Sequence, residues 1–305
     1  MSSMTRIGVI GAGRVGAVLA AALRGAAGHH EIVAAAGEST ASRSRIEALL
    51  PGVPVDKPTV VARACDLLLL TVPDDMLGNV ANMLSASGAI REGQYVVHTS
   101  GRHGLAVLEP AAKLGAHVLA MHPAMTFTGT NVDLGRLPGC VYGVTASEQT
   151  LGLAQSLVAD LGGSAVWVPE DRRTLYHAGL AHGANHLVTL VSQAMDLLRE
   201  SGVEDPAKTL RPLLSAALDN ALESGDVALT GPIMRGDVNT VRLHLADIAT
   251  SAPTTLESYV VLGRATANRC VLDGRLLPIR AGAIIAALND ALAATPRTSR
   301  REVTT

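Results

Sequence analysis

Three glycines near the start of the chain have the spacing and the setting of a phosphate-binding turn. Gly11, Gly13 and Gly16 follow the apolar run 7–10 and lead directly into a helical pattern. In such a turn the first glycine permits a tight bend, the second leaves room for a pyrophosphate, and the third lets the helix pack on the strand. Amides at the helix start then face the phosphates. The pattern therefore predicts a dinucleotide-binding turn, with contacts from Gly11, Gly13, Arg14, Val15 and Gly16.

The segment after the second apolar run contains groups that favour either of the two nicotinamide dinucleotides. Glu38 would bind the ribose 2′-hydroxyl of NAD, whereas Ser42 and Arg43 would accept the 2′-phosphate of NADP. Ser39 or Thr40 could simply cap the following helix, which is compatible with binding of the cofactor. Because the hydroxyls and the arginine outnumber the glutamate, the segment favours NADP, and NAD stays possible.

Polar or turn-forming residues also follow three later apolar runs. Val72, Pro73 and Asp74 end the first of them, Ser100 follows the second, and His122 follows the third. Since ligands bind beyond the carboxyl ends of parallel strands, we expect the first group beside the nicotinamide. Ser100 and His122 would then lie beside a substrate. The alternative is that the serine only forms a turn and the histidine is only hydrogen-bonded.

A loop in the second half of the chain is a candidate anion site. Arg235 stands just before Asp237, which is a good N-cap for the next helix. A fixed arginine beside backbone amides suits a carboxylate or a phosphate. The alternative is an Arg235–Asp237 pair that only holds the loop. The predicted substrate contacts here are Arg235, Asp237, Asn239, Thr240 and His244.

A helical pattern over residues 170–199 offers a proton donor. His177 and Asn185 share one face of a regular helix, with small residues between them. A histidine can protonate a developing alkoxide because its ordinary pKa lies near neutrality; the alternative is close helix packing. His182 and His186 are four residues apart, as metal ligands often are, but no H-E-x-x-H pattern accompanies them. We therefore predict no metal site.

The order of the elements predicts how these residues are positioned. Strand patterns occur at 7–10, 31–36, 66–72, 95–98, 117–121, 141–144 and 165–168, and helical patterns at 14–24, 41–50 and 148–161. This alternation indicates an α/β fold, a doubly wound Rossmann sheet over residues 1–168. An all-α domain over 169–294 follows, with helical patterns at 170–199, 206–224, 237–249, 254–273 and 276–294. The polar tail 295–305 is expected to be flexible.

Size and composition exclude several classes of protein. A chain of 305 residues suggests about two domains. With a net charge of −2 and no basic stretch, neither nucleic acid nor a membrane surface is an expected partner. No apolar string is long enough to span a membrane, and no signal peptide is recognised. The cysteines are isolated, at Cys65, Cys140 and Cys270. We therefore expect a cytoplasmic protein.

Several segments together resemble a bacterial family of Rossmann oxidoreductases with a C-terminal domain of unknown function. They are IGVIGAGRVG, DLLLLTVPDD, HTSG, HPAMTF, YHAGLAHGANHL and LTGPIMRGDVNTVRLHL. The family is similar to the 6-phosphogluconate and β-hydroxyacid dehydrogenases, and some members are regarded as alternative ketopantoate reductases of pantothenate synthesis. The resemblance implies reduction of a small branched 2-oxo acid by NADPH, and a homodimer formed through the helical domain.

One departure from the related enzymes changes the expected chemistry. The better-known ketopantoate reductases and β-hydroxyacid dehydrogenases carry a catalytic lysine four residues before an asparagine; here the asparagine would be Asn185, and position 181 is alanine. The lysines lie elsewhere, at Lys57, Lys113 and Lys208. His177 is therefore the first candidate for the proton donor, followed by His122 and His244. Asn185 would orient the carbonyl.

The missing lysine leaves two alternatives to a 2-oxo acid reductase. One is a dinucleotide-binding sensor or assembly factor that performs no turnover. The other is a reductase of imino acids similar to the pyrroline-5-carboxylate reductases. In a 2-oxo acid reductase, Arg235, the helix start at Asp237 and Ser100 would hold the substrate carboxylate.

Overall fold

The computed structural model describes residues 4–26 and 28–294, so the tail predicted at 295–305 lies outside the described residues. The chain forms two compact units, Met1–Gly183 and Ala184–Thr305. The last strand of the first unit ends at Trp167, close to the predicted change from strands to helices. Unit 1 nevertheless continues through the first helix of the helical half.

Seven strands of unit 1 form one sheet. They are β1 (Thr5–Ile10), β2 (His30–Ala36), β3 (Leu67–Leu70), β4 (Tyr95–His98), β5 (His117–Pro123), β6 (Val141–Ala146) and β7 (Ser164–Trp167). Their order in space is β2-β1-β3-β4-β5-β6-β7. The order therefore reverses at β1, which has β2 on one side and β3 on the other. This confirms the predicted doubly wound α/β sheet.

One strand pair differs from the wholly parallel sheet expected from the sequence. β6 runs antiparallel to β5, with Leu119 opposite Ala146 and Pro123 opposite Tyr142. A parallel pair needs a crossover connection, usually a long helix. The segment between these two strands contains only a one-turn helix, Asn131–Leu134. The chain therefore reverses direction after β5 and pairs β6 antiparallel beside it, without a helix that crosses a face of the sheet.

Helices cover both faces of the sheet, as the burial of β3 demonstrates. All four residues of Leu67–Leu70 are buried. Leu67 and Leu69 belong to the core cluster on one face, and Leu68 and Leu70 to the cluster on the other. Each leucine transferred from water in this way stabilises the fold by about 2 kcal/mol. The apolar run is therefore continuous because neither face of this strand meets solvent.

The helices of unit 1 lie between and after the strands. They are α1 (Arg14–Gly25), α2 (Thr40–Leu49), α3 (Pro58–Ala64), α4 (Asp74–Ala86), α5 (Glu109–Ala112), α6 (Asn131–Leu134), α7 (Leu151–Asp160) and α8 (Arg173–Leu180). The 3₁₀-helix Leu105–Leu108 precedes α5. α1 and α2 pack on the face of Leu67 and Leu69, and α3 and α4 pack on the opposite face.

The single α-helix expected over 170–199 is interrupted, so that prediction is wrong in detail. A 3₁₀ turn at Glu170–Arg172 leads into α8, and a π-helical segment, Ala181–Asn185, separates α8 from the next helix. The segment contains Gly183, and glycine has low helix propensity. A π-helix has a different residue repeat from an α-helix. The regular 3.6-residue period therefore does not place His177 and Asn185 on one helix face.

Unit 2 is entirely helical over its described residues. Its helices are α9 (His186–Glu200), α10 (Pro206–Ser224), α11 (Gly231–Met234), α12 (Val238–Ser251), α13 (Pro253–Leu272) and α14 (Pro278–Ala294). Val241, Leu245 and Ile248 of α12 are buried in its core. By contrast, α9 has no buried residue. Among the residues described, no helix combines the length and apolar character needed to cross a bilayer.

Candidate active site

The glycines of the first turn are required by its geometry. Gly11 has φ +88°, and a Cβ there would lie 2.7 Å from the backbone nitrogen of Val72. A Cβ at Gly16 would overlap the hydroxyl oxygen of Thr71. At Gly13 the nearest atom to an added Cβ is 3.7 Å away, so the space in front of this residue is open. Gly11 and Gly16 therefore permit close packing, whereas Gly13 leaves room for a ligand.

The start of α1 is held in place but not capped. The Thr71 hydroxyl donates a hydrogen bond of 2.7 Å to the carbonyl oxygen of Gly11, which fixes the turn to the end of β3. No side chain caps the first turn of α1, and that turn contains no acidic residue. The amides at Arg14, Val15 and Gly16 thus begin the helix without a protein anion, as a phosphate site requires.

Two arginines meet beside this turn, and sequence reasoning named only one of them. Gly129, in the loop after β5, has φ +80°, and a Cβ there would lie 2.7 Å from Arg45 Nε and 3.0 Å from Arg14 Cγ. The Asp133 carboxylate holds the loop by accepting a 2.7 Å hydrogen bond from the Gly129 amide. Arg45 lies two residues beyond the predicted Arg43, on the same helix. Only the folded loop at Gly129 reveals that Arg45 faces the turn.

A cavity of about 380 Å³ opens beside the turn, where the adenosine half of a dinucleotide was expected. Its lining includes Gly11, Glu38, Ser39, Ser42, Val72 and Pro73. Ser39 caps α2 by accepting a 3.1 Å hydrogen bond from the Ser42 amide, as one of the two expected helix caps. The two serine hydroxyls also lie 2.9 Å apart. Asp74 begins α4, and its carboxylate lies 3.4 Å from Arg102 Nε.

A buried histidine shapes the loop after β4. His98 Nδ1 accepts a 3.1 Å hydrogen bond from the Ser100 amide, so the ring proton is on Nε2, which donates to Gly104 O at 2.8 Å. Burial lowers the pKa of His98 to about 4, which keeps the ring neutral. The Ser100 hydroxyl accepts from the His103 amide at 3.1 Å. Ser100 is buried, so both its backbone and its hydroxyl hold the loop.

Two histidines lie against the next residue of this loop, Gly101, and a tyrosine contacts one of them. A Cβ there would overlap the His177 ring and lie 3.0 Å from His122 Nε2. The His122 and His177 rings meet edge to face, with centroids 5.6 Å apart. The Tyr176 hydroxyl lies 3.2 Å from His122 Nδ1. Sequence reasoning named both histidines but missed Gly101 and Tyr176, although Tyr176 directly precedes His177.

Arg173 is a buried cation within the same unit. Its Nη2 donates to Ser100 O at 2.6 Å, and its Nη1 donates to Gly143 O at 3.2 Å and to Thr145 Oγ1 at 3.1 Å. Its Nε has no hydrogen-bond partner, and over the described residues it forms no ion pair with a carboxylate. Burial lowers the pKa of Arg173. The guanidinium is therefore held directly by neutral oxygens, and the charges of Glu170 and Asp74 act on it only through space.

The pKa of His122 reflects these surroundings. It is lowered to about 4, first by burial and then by the nearby His177 and Arg173. His122 is consequently a neutral imidazole at neutral pH. Its Nε2 has no hydrogen-bond partner among the described residues, and this atom is not fully buried. This nitrogen is available to a ligand beside Gly101.

The predicted residues of unit 2 have separate local roles. Asp237 caps α12, as predicted, by accepting from the Thr240 amide at 3.1 Å and from the Thr240 hydroxyl at 2.7 Å. These hydrogen bonds lower the pKa of Asp237. His244 Nδ1 lies 2.8 Å from the Tyr259 hydroxyl. The exposed residues of this predicted set are Asn185, Arg235, Asn239 and His244. No cluster suited to a metal ion occurs among the described residues.

Comparison with known families divides the chain into two parts, at an earlier position than the boundary between the two structural units. Residues 2–123 match a Rossmann-like domain, and residues 140–266 match a domain of unknown function, DUF2520. The chain joins a Rossmann-like domain to a DUF2520 domain. This confirms the family resemblance and the fold class predicted from the sequence. No curated protein matches the chain.

Several solved structures share the fold over most of the chain. A Bacteroides fragilis protein, proposed to be an NADP oxidoreductase, has a TM-score of 0.73 at 20% identity, over 87% of this chain and 98% of its own. A Pseudomonas imine reductase has a TM-score of 0.58 at 16% identity, over 96% and 95%. A Plasmodium falciparum pyrroline carboxylate reductase, with NADP bound, has a TM-score of 0.56 at 14% identity, over 95% and 99%. The TM-scores show a common fold, and at identities of 14–20% the similarity extends no further than the fold.

Two substitutions in the glycine turn should affect cofactor binding and protein stability differently. In Gly13→Ala the new methyl group enters open space, so we expect an unfolding temperature close to that of the wild type. The methyl group would nevertheless occupy the pyrophosphate position, and dinucleotide affinity should fall about tenfold or more, which corresponds to about 1.4 kcal/mol. Gly16→Ala is the matched comparison. Its methyl group overlaps Thr71 and should lower the unfolding temperature. Thermal melts and calorimetric titration with NADPH measure both effects, and unchanged affinity in Gly13→Ala would contradict the assignment.

Arg173 should be important for the stability of unit 1. Arg173→Met removes a charged donor from three acceptors, and we expect the free energy of unfolding to fall by about 2 kcal/mol or more. Arg172→Met is the matched control, because the Arg172 side chain is 67% exposed. It should change stability by about 0.5 kcal/mol or less. Urea unfolding followed by circular dichroism measures both variants, and equal losses would refute a special role for Arg173.

Proposed function

We propose that this chain is an NADP-dependent reductase of a small 2-oxo acid. The proposal depends on one observation: the uncapped glycine turn and the cluster around Gly101 lie at the same carboxyl edge of the sheet in unit 1. β1, β3, β4 and β5 are consecutive neighbours, so the turn and His122 are three strand spacings, or about 14 Å, apart. Ligands of doubly wound sheets bind at this edge. A bound nicotinamide dinucleotide would supply a hydride to the substrate carbon there.

The preference for NADP is supported by the positive charge near the turn. Arg14 and Arg45 lie against Gly129, and Ser42 lines the adjoining cavity with Glu38. A guanidinium can bind a phosphate with two parallel hydrogen bonds. Arg43 is exposed on the same helix as Arg45 and adds to this charge. The Plasmodium falciparum structure of the same fold was solved with NADP.

An anionic substrate is supported by the buried charge of Arg173. Its guanidinium binds the carbonyl oxygen of Ser100, the residue directly before Gly101. Glu170 and Asp74 act on this charge only through space, so a buried cation without a direct ion pair adds positive potential that favours a carboxylate. We propose ketopantoate as the first 2-oxo acid to test. Arg235, Asp237, Asn239, Thr240 and His244 remain candidate substrate contacts from unit 2.

The proton for the reduced group is proposed to come from the histidine pair at Gly101. His122 and His177 both contact the position of a Cβ at Gly101. Either ring could protonate a substrate oxygen beside this glycine, and Asn185 is retained as a candidate for orienting the carbonyl.

Reduction of a carbon–nitrogen double bond is the second candidate activity. Two structures that share the fold over at least 95% of this chain are named as imine or pyrroline carboxylate reductases. A cyclic imino acid carries a carboxylate as well, so the positive potential of Arg173 would favour it too. The test must therefore include both substrate classes.

Purified protein should oxidise NADPH when the correct substrate is added. We expect one member of a panel of ketopantoate, other 2-oxo acids and cyclic imino acids to cause loss of absorbance at the nicotinamide band, with NADH at least about tenfold less effective. Gly13→Ala is the control, since it should fold but bind the cofactor weakly. Tight NADPH binding without turnover on any member would overturn the proposal and favour the dinucleotide-binding sensor.

We further propose that unit 2 binds a second copy of the chain through α10. In this helix only Pro206 and Leu210 are buried, whereas Leu218 is 49% and Leu222 79% exposed. Apolar side chains in adjacent turns of a long exposed helix are typical of a protein interface. A symmetric dimer would cover the helix with the same surface of the partner.

Light scattering after size-exclusion chromatography tests the dimer. Leu218→Asp combined with Leu222→Asp should convert a dimer into a monomer, because burying two unpaired carboxylates is unfavourable. Leu272→Asp is the control; this leucine is 87% exposed at the end of α13 and its substitution should leave the mass unchanged. A wild-type protein of monomer mass would contradict the proposal.

A further inference from the structure

The hydroxyl of Tyr176 is positioned against one nitrogen of His122. The hydroxyl oxygen lies 3.2 Å from Nδ1, and the two rings meet edge to face with centroids 5.8 Å apart. In the antiparallel β5–β6 pair, His122 lies directly opposite Gly143. A Cβ at Gly143 would overlap the end of the Tyr176 ring. The missing side chain at Gly143 is therefore what allows the phenol to reach His122.

The other nitrogen of His122 is open. Nε2 lies 3.0 Å from the position of a Cβ at Gly101 and has no hydrogen-bond partner among the described residues. When Tyr176 donates its proton to Nδ1, the ring proton must be on Nε2, because a neutral imidazole carries one proton. His122 then presents its Nε2–H as a donor beside Gly101, and the Tyr176 hydroxyl donates to Nδ1 on the other side of the ring.

His122 cannot be a conventional acid at neutral pH. Its pKa of about 4 means that the ring carries a single proton there. A neutral imidazole that gives away this proton would become an anion unless it gains another one at the same time. A hydroxyl hydrogen-bonded to Nδ1 can supply that second proton. The contact with Tyr176 meets this requirement.

We propose that Tyr176 and His122 form a two-residue proton relay that protonates the reduced substrate. As the hydride reaches the substrate carbon, the Nε2–H bond of His122 breaks and a bond forms between that proton and the substrate oxygen. At the same time the Tyr176 O–H bond breaks and an Nδ1–H bond forms. His122 ends as the other neutral tautomer, and the negative charge moves from the substrate oxygen to the phenolate of Tyr176. This inference rests on the proposed reductase activity.

The phenolate formed in this step has a cation nearby. The guanidinium carbon of Arg173 lies 6.0 Å from the centre of the Tyr176 ring. Burial raises the pKa of Tyr176, whereas the charge of Arg173 and the Gly143 amide lower it. The charge of Arg173 is thus suited to stabilise a phenolate that exists only after proton transfer.

His177 has a different role in this arrangement. Its ring lies against Gly101 and meets the His122 ring edge to face, but it has no hydrogen bond among the described residues. No hydroxyl or carboxylate therefore fixes its tautomer or returns a proton to it. The relay assigns proton donation to His122 and leaves His177 to position the His122 ring and confine the substrate.

The tautomer of His122 tests the relay without any substrate. In protein labelled with ¹⁵N-histidine, we expect the His122 signals at pH 7 to be those of a neutral ring with its proton on Nε2. Tyr176→Phe should remove this preference. Tyr95→Phe is the matched control, because Tyr95 also packs against a histidine, His117, at a ring distance of 5.2 Å. A wild-type proton on Nδ1, or an identical tautomer in Tyr176→Phe, would overturn the proposal.

Kinetics provide the second test. Tyr176→Phe and His122→Gln should each lower kcat about 100-fold, with KM and NADPH affinity changed less than about twofold. The double variant should be no slower than the worse single variant, since the two residues act as one unit. Tyr95→Phe should retain wild-type kcat. If His177→Ala alone abolishes turnover while Tyr176→Phe is fully active, the relay is wrong.

Different results would contradict the reductase activity and the Tyr176–His122 relay. A protein that reduces no member of the substrate panel would overturn the reductase activity, and the ¹⁵N spectrum would still decide whether Tyr176 sets the His122 tautomer. Normal reduction by Tyr176→Phe would overturn the relay and leave the reductase intact. Unfolding temperatures of all variants distinguish a lost proton donor from a lost fold.

Discussion

The candidate active site depends on a single buried cation. Arg173 belongs by sequence to the helical half, yet its guanidinium lies within unit 1 and binds the loop after β4 and strand β6. Three hydrogen bonds to neutral oxygens offset part of its desolvation, and nearby carboxylates act on its charge only through space. This charge is bound to the residue directly before Gly101, adds to the burial that keeps His122 neutral, and lies beside the ring of Tyr176.

Glycines decide which groups can meet around that cation. Gly101 admits the His177 ring, and Gly143 admits the hydroxyl of Tyr176. Gly11 and Gly16 serve the same purpose at the cofactor turn, where helix α1 must approach the end of β3. Interiors are packed so closely that an added methyl group at such a position forces a neighbour to move. The lack of a side chain at Gly101 and Gly143 is therefore as necessary for the site as the histidine and tyrosine rings themselves.

The buried His98 and the half-buried His122 remain neutral for the same physical reason but have different roles. His98 uses both nitrogens on backbone groups of its own loop and so fixes the loop. His122 uses one nitrogen on Tyr176 and keeps the other open. Burial lowers the pKa of both to about 4. The number of internal partners, rather than the pKa, separates a structural histidine from one that can act on a ligand.

The sequence alone determined the local features of this protein. The spacing of Gly11, Gly13 and Gly16 predicted the turn, alternating apolar runs predicted the doubly wound sheet, and Asp237 was recognised as a helix cap. These are short-range properties, set by backbone sterics and residue periodicity. Only the tertiary structure decided which distant residues meet: Arg45 with Arg14, Tyr176 with His122, and Arg173 with Ser100. Such contacts depend on how β5, β6 and α8 pack, and no local pattern encodes that packing.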